Sequence, residues 1–289
     1  MKVLTIFVTL SLMLVALYSQ LAQDSPRLKL RDPIAIHKGA SSDLFVLDAG
    51  GTVHRLQKTQ DHFDETSAFS LKNTSGPIDM TYALFNRQDS LIISSFQVGI
   101  ATLAQYASDG KLLNNWILKH VCSGVDVDNS NGALYVATSD SNEVYKIDLR
   151  TRRTSYVGEI HSAKRLGPLV LGPNNQIIYI ADVAGGSIYE FSLVTGNSRK
   201  LISGMSSPSA FFFDLQTRRL YIADNGQRKI FTIDTSVPQP VLMQFASKPL
   251  SSPSGIAPRS PDGLAVTDED TNSVLFFSSQ GIFLNRFPR

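Results

Sequence analysis

The sequence predicts an all-β fold in which a unit of about four antiparallel strands repeats six times and closes into a six-bladed β-propeller, and three observations predict it. A short apolar run ending in a small polar or acidic residue recurs six times, the copies are almost evenly spaced, and each is followed by a polar or glycine-rich turn and a second apolar strand. Repeats of ~40 to 45 residues with four strands each are the signature of radially arranged blades.

The copies run Leu44-Phe45-Val46-Leu47-Asp48, Leu91-Ile92-Ile93-Ser94-Ser95, Leu134-Tyr135-Val136-Ala137-Thr138, Ile178-Tyr179-Ile180-Ala181-Asp182, Leu220-Tyr221-Ile222-Ala223-Asp224 and Leu264-Ala265-Val266-Thr267-Asp268. The second copy fits the plan least well. Their last residues, 48, 95, 138, 182, 224 and 268, are separated by steps of 47, 43, 44, 42 and 44. The following strands fall at 52–56, 101–106, 144–147, 187–191, 229–233 and 273–277, behind turns such as Gly50-Gly51, Gly185-Gly186 and Asn225-Gly226. A further strand precedes most copies, as Val125-Asp126-Val127 does before Asn131-Gly132. Short runs of Val, Ile, Tyr and Phe, with no long stretch of helical period, favour strands throughout. Blades bury both faces against their neighbours, which accounts for strands that are apolar instead of alternating. The blades are placed near 33–71, 77–115, 121–158, 167–202, 207–245 and 253–287, filling one domain over 24–289.

Ahead of that domain, Lys2 precedes an uncharged run over 3–17 and then a polar stretch. Residues 1–23 read as a signal peptide, with the mature start between Gln20 and Asp24. The run is shorter than the ~20 apolar residues a spanning helix needs, so no stable membrane insertion is expected after the leader is removed. The expected location is secreted: extracellular, or periplasmic in a bacterium. Of 289 residues, 43% are hydrophobic and 18% charged, enough for a sizeable core. The formal charge of +2 is too small to draw the chain to nucleic acid. Cys122 is the sole cysteine, so no intramolecular disulfide forms, and it reads as a small buried hydrophobe. Asn73-Thr74-Ser75 is the one glycosylation sequon, making Asn73 a possible glycan site in a eukaryotic source.

The chain contains no Gly-x-Ser-x-Gly elbow and no phosphate-cradling glycine loop. Its five histidines, His37, His54, His62, His120 and His161, have no metal-ligand spacing. The recurrent Asp48, Asp182, Asp224 and Asp268 read as acceptors for the amides of the turn that follows, with Ser95 and Thr138 able to bond likewise. The stretch Asp126-Val127-Asp128-Asn129-Ser130-Asn131-Gly132 has its glycine one place late for a calcium loop and reads as a strand entering an Asn-Gly hairpin.

Leu220-Tyr221-Ile222-Ala223-Asp224-Asn225-Gly226 with Lys229-Ile230-Phe231, and Pro253-Ser254-Gly255-Ile256-Ala257, resemble the core of the NHL repeat. The chain is similar to the broad group of NHL and senescence-marker-protein/gluconolactonase-like six-bladed propellers, which holds lactone hydrolases, a lyase and non-catalytic binding modules. The gluconolactonase-like enzymes imply a divalent cation near the channel. Their Glu-x-Pro falls here on Arg31-Asp32-Pro33, their Asn-Gly on Leu166-Gly167 and their Pro-Asp-Gly on Pro208-Ser209-Ala210, so the oxygen ligands are missing at Arg31, Leu166 and Ser209. The expectation is a non-catalytic module for an extracellular protein or small-molecule ligand. The alternative is a hydrolase or lyase with an altered metal site formed by Asp32, Asp79 and Asp126 near the blade starts; a divalent cation enters only there.

Overall fold

A computed structural model describes residues 30–59, 62–71, 76–85, 88–259 and 263–288. The leader and Asn73 lie outside the described residues. Blade 1 is β1 (Pro33–Lys38), β2 (Leu44–Asp48), β3 (Thr52–Thr59) and β4 (His62–Ser70). Blade 2 is β5 (Pro77–Phe85), β6 (Gln88–Gln97), β7 (Ile100–Ala107) and β8 (Leu112–Leu118). Blade 3 is β9 (Cys122–Asp128), β10 (Ala133–Thr138), β11 (Glu143–Asp148) and β12 (Thr154–Glu159). Blade 4 is β13 (Leu166–Leu171), β14 (Ile177–Asp182), β15 (Ser187–Ser192) and β16 (Ser198–Ser203). Blade 5 is β17 (Pro208–Asp214), β18 (Arg219–Asp224), β19 (Lys229–Asp234) and β20 (Met243–Ala246), and blade 6 is β21 (Pro253–Pro258), β22 (Leu264–Asp268), β23 (Ser273–Phe277) and β24 (Phe283–Phe287).

Each blade is a four-stranded antiparallel meander in chain order, and the first strands of successive blades pack side by side around the axis, β21 meeting β1 to close the ring. This is the six-bladed propeller the repeat predicts. Because every meander has the same sense, the loops entering each blade and the turns between its second and third strands share one face, called here the entry face. The remaining turns form the opposite face.

The core lies between blades. Phe45, Leu47 and Val53 of blade 1 pack with Met80, Leu91 and Ile93 of blade 2, and Ile92, Leu103 and Trp116 pack in turn with Val125, Leu134 and Ile147 of blade 3. Ala223 and Ile230 of blade 5 join Val266, Leu275 and Phe277 of blade 6, and Phe63 stacks on Phe276 at 4.6 Å across the closing seam. Burying a side chain of this size contributes about 1.5–3 kcal/mol each.

Polar bonds repeat with the same period. The residue after the second strand donates its amide to the carbonyl just ahead of the first, as in Ala49 to Asp32, Ser139 to Val121, Val183 to Arg165, Asn225 to Ser207 and Glu269 to Ser252. The recurrent aspartates hold the turns. Asp48 accepts the Thr52 amide (2.7 Å), Asp182 accepts Gly185 (2.9 Å) and Arg165 (3.1 Å), and Asp268 accepts Ser251 (2.7 Å) and Thr271 (3.2 Å). Asp224 accepts Ser206 (2.7 Å), Ser207 (2.9 Å) and Gln227 (3.1 Å). Thr138 does the same work by accepting the Glu143 amide at 3.1 Å. Local acceptors of this kind are what a buried turn requires.

Candidate functional site

Every first strand carries an irregularity near its start, so one residue per blade bulges at the entry end of the axis. In three blades that residue is serine, and its hydroxyl donates to the first carbonyl of the next blade: Ser123 to Leu166 (3.0 Å), Ser209 to Pro253 (2.6 Å) and Ser254 to Pro33 (2.5 Å). The last of these joins blade 6 to blade 1.

Past the bulge, on the axis, lies a cavity of about 40 Å³, lined among others by His37, Asp79, Met80, Leu169, Phe211 and Ile256. That volume admits water and little more. Asp79 accepts the amides of Met80 (2.8 Å) and, across the blade boundary, Val125 (3.0 Å). Burial pushes its carboxyl up to about 7, with the Asp126 charge adding to the rise and the two amides opposing it. Asp126 accepts the Leu171 amide of blade 4 (2.8 Å), its neighbour Val127 (2.8 Å) and the Thr81 hydroxyl of blade 2 (3.2 Å). Burial raises Asp126 and lowers His37, while the opposite charge of each resists the other's shift.

The structure therefore brings Asp79 and Asp126 together, each joining its blade to the next. Asp32 does not join them. It is exposed on the entry face, where its amide donates to Asn272 (2.7 Å) and where burial raises Glu269, the Asp32 charge adding to the rise. Among the described residues no group of three His, Cys, Asp or Glu is placed to hold a metal ion. Asp128 accepts the amide and hydroxyl of Ser130, holding its own turn (2.9 and 2.6 Å). Burial pushes the Cys122 thiol far up, as suits a small buried side chain.

His37 was not singled out by spacing, because its partners are supplied by other blades. Aligning the first strands on their bulge places His37, Thr81 and Asp126 at one register position, and that alignment is the signal that finds them. His54 was missed similarly: it is buried between Asp48 (3.2 Å) and Glu65 (2.7 Å). Burial opposes its charged form, but the two carboxylates outweigh it and raise His54.

Larger spaces lie between blades. On the opposite face a groove of about 620 Å³ separates blades 5 and 6. One wall carries Phe212, Tyr221 and Phe245, with Tyr221 stacked on Phe212 at 5.8 Å and edge-on to Phe245 at 5.1 Å. Beside them Asp214, Arg219 and Asp234 share one rung of the sheet, and Arg259 enters from blade 6. The hydroxyl and amide of Ser236 hold Asp234 below the usual carboxylate range. Between blades 2 and 3 a mostly apolar cleft of about 260 Å³ is lined by Ile117, Leu118, Val136, Tyr145 and Ile147, together with Lys119 and His120. There Glu143 accepts the hydroxyls of Ser141 (2.7 Å) and Tyr145 (2.8 Å), which lowers the carboxyl and helps raise the phenol, already lifted by burial, to about 12.

No family model and no curated protein sequence matches the chain. Solved structures do match in shape. A nidogen/laminin complex aligns with a TM-score of 0.70 at 14% identity, over 85% of this chain and 92% of that one. Virginiamycin B lyase from Staphylococcus aureus aligns at 0.65 and 14%, over 91% and 87%. An auxiliary nutrient binding protein from Bacteroides thetaiotaomicron aligns at 0.62 and 14%, over 89% and 69%. At this identity the likeness is one of fold, and the fold serves an enzyme as well as binding proteins.

Proposed function

We propose that the chain is a secreted, NHL-like propeller acting as a non-catalytic binding module, which takes an extracellular protein or small-molecule ligand on its surface. The observation that carries this reading is where the room lies. The axial cavity offers about 40 Å³, and the carboxylates beside it are engaged by amides of neighbouring blades, whereas the groove between blades 5 and 6 offers about 620 Å³. That groove combines an aromatic wall with carboxylate and guanidinium groups, the mixture expected of a site that orients a polar ligand against a flat apolar surface. Loops and clefts on a rigid scaffold are where binding of this kind is placed.

A ligand-observed NMR screen with sugar and polar aromatic fragments tests the reading. Fragments that bind the protein and are released by Arg219→Ala or Tyr221→Ala support it. Fragments unaffected by both variants, but lost in Asp126→Asn, contradict it.

The alternative, a gluconolactonase-like hydrolase or lyase with an altered cation site, draws on one observation: Asp79 at about 7 beside Asp126 and His37, a combination suited to proton transfer. Lactone turnover abolished by Asp79→Asn would favour it.

A further inference from the structure

We propose that two copies of this chain pair through blade 2, each inserting the apolar tip of its β6–β7 hairpin into the cleft between blades 2 and 3 of the other. The pairing does not depend on the groove between blades 5 and 6.

The tip departs from the repeat. In blades 4, 5 and 6 the second and third strands stop pairing at Asp182–Ser187, Asp224–Lys229 and Asp268–Ser273, leaving a four-residue turn held by the aspartate. Blade 2 has Ser95 at that place, and its hydroxyl bonds Thr102 at 2.7 Å. The ladder then continues through Phe96–Ala101 to Gln97–Ile100, so the hairpin stands further out and turns on Val98 and Gly99 alone. Both have positive φ, 50° and 80°. A two-residue turn of that hand wants Asn, Asp or Gly, and a β-branched residue there is an outlier. Yet Val98 is 91% exposed, with Phe96 and Ile100 beside it at 40% and 53%. A side chain that burdens its own turn and meets only solvent marks a surface shaped for something other than folding.

The receiving cleft is next to it. Phe96, Ala101 and Leu118 occupy one rung of the blade 2 sheet, so Phe96 stands two strands, about 10 Å, from a residue that lines the cleft. Ile117, at the cleft edge, is 78% exposed. The cleft has room for a valine side chain at about 260 Å³. A knob and a hole side by side on one patch are self-complementary under a twofold axis between them.

Sedimentation equilibrium on the purified protein, with thermal melts run at a dilution where the wild type is monomeric, tests the pairing. The wild type should be a reversible dimer, and Val98→Asn, which supplies the turn with its preferred residue, should weaken association about 100-fold with a melting temperature no lower than wild type. Ile117→Glu, on the cleft side, should weaken it comparably. Mixing the two variants should restore one of the two contacts and give tighter association than either alone. A wild type that stays monomeric up to about 100 µM overturns the proposal and leaves the tip to a different partner protein. A dimer that Val98→Asn leaves intact overturns it as well.

Discussion

Blades 5 and 2 are built on the same meander, yet they end their central hairpins in opposite ways. In blade 5, Asp224 is fully buried, accepts three amides and fixes a short polar turn; in blade 2, Ser95 accepts none of these, the ladder runs on and an apolar tip emerges. The difference teaches what the recurrent carboxylate does. It stops strand pairing and ties the turn to the loop that enters the blade; Thr138 stands in for it in blade 3, and in blade 2, where Ser95 accepts no such amide, the strands extend until a tight turn ends them.

The sharpest way to break that comparison is to remove the acceptor from both blades. Asp224→Ala leaves several buried amides without partners and should cost about 4 kcal/mol, while Ser95→Ala should cost about 1 kcal/mol, both read from urea denaturation. Equal losses would show that the two positions do the same work. Blade 1 offers a variant of the theme, because its Asp48 also contacts the buried His54. His54→Gln should cost about 3 kcal/mol near pH 6 by leaving Asp48 and Glu65 unpaired. The raised His54 stabilises the fold fully below about 6.5, its unfolded value, and that stability is lost as pH rises through the folded one. Asp79 acts in the same direction, since a raised carboxyl means that the native state holds the extra proton. Melting temperature should therefore fall from pH 5.5 to 8.5 in the wild type and fall less in His54→Gln.

Smaller effects test ring closure and the tip. Ser254→Ala removes the hydroxyl bonded to Pro33 and should cost about 1 kcal/mol, similar to Ser209→Ala inside the ring. A much larger loss at Ser254 would make the closing seam special. Val98→Asn should stabilise by about 0.5–1 kcal/mol, the reverse sign to every other substitution here.

The fold was legible because the residue ending each second strand must serve the same buried turn in every blade, which keeps Asp48, Asp182, Asp224 and Asp268 in step. The weak fit of Leu91-Ile92-Ile93-Ser94-Ser95 was visible too, and it marks the blade whose hairpin departs. The axis was less legible. Asp32, Asp79 and Asp126 all precede or open a blade in sequence, but Asp79 lies two residues beyond Pro77 and Asp126 four beyond Cys122, whereas Asp32 precedes its strand altogether. In a strand one residue decides the face, and a bulge resets the count. His37 and His54 answer to partners fixed only by blade packing and sheet register. The groove between blades 5 and 6 was half visible, since Tyr221 belongs to the repeat. Arg219 was not, because its place on one rung with Asp214 and Asp234 appears only in the ladder.

The central claim is that the axial carboxylates hold blades together and that binding belongs to the surface. Calorimetric titration of calcium and of zinc into the purified protein tests it most directly. The account predicts no heat beyond dilution for either ion; one-to-one binding that disappears in both Asp79→Asn and Asp126→Asn would contradict it.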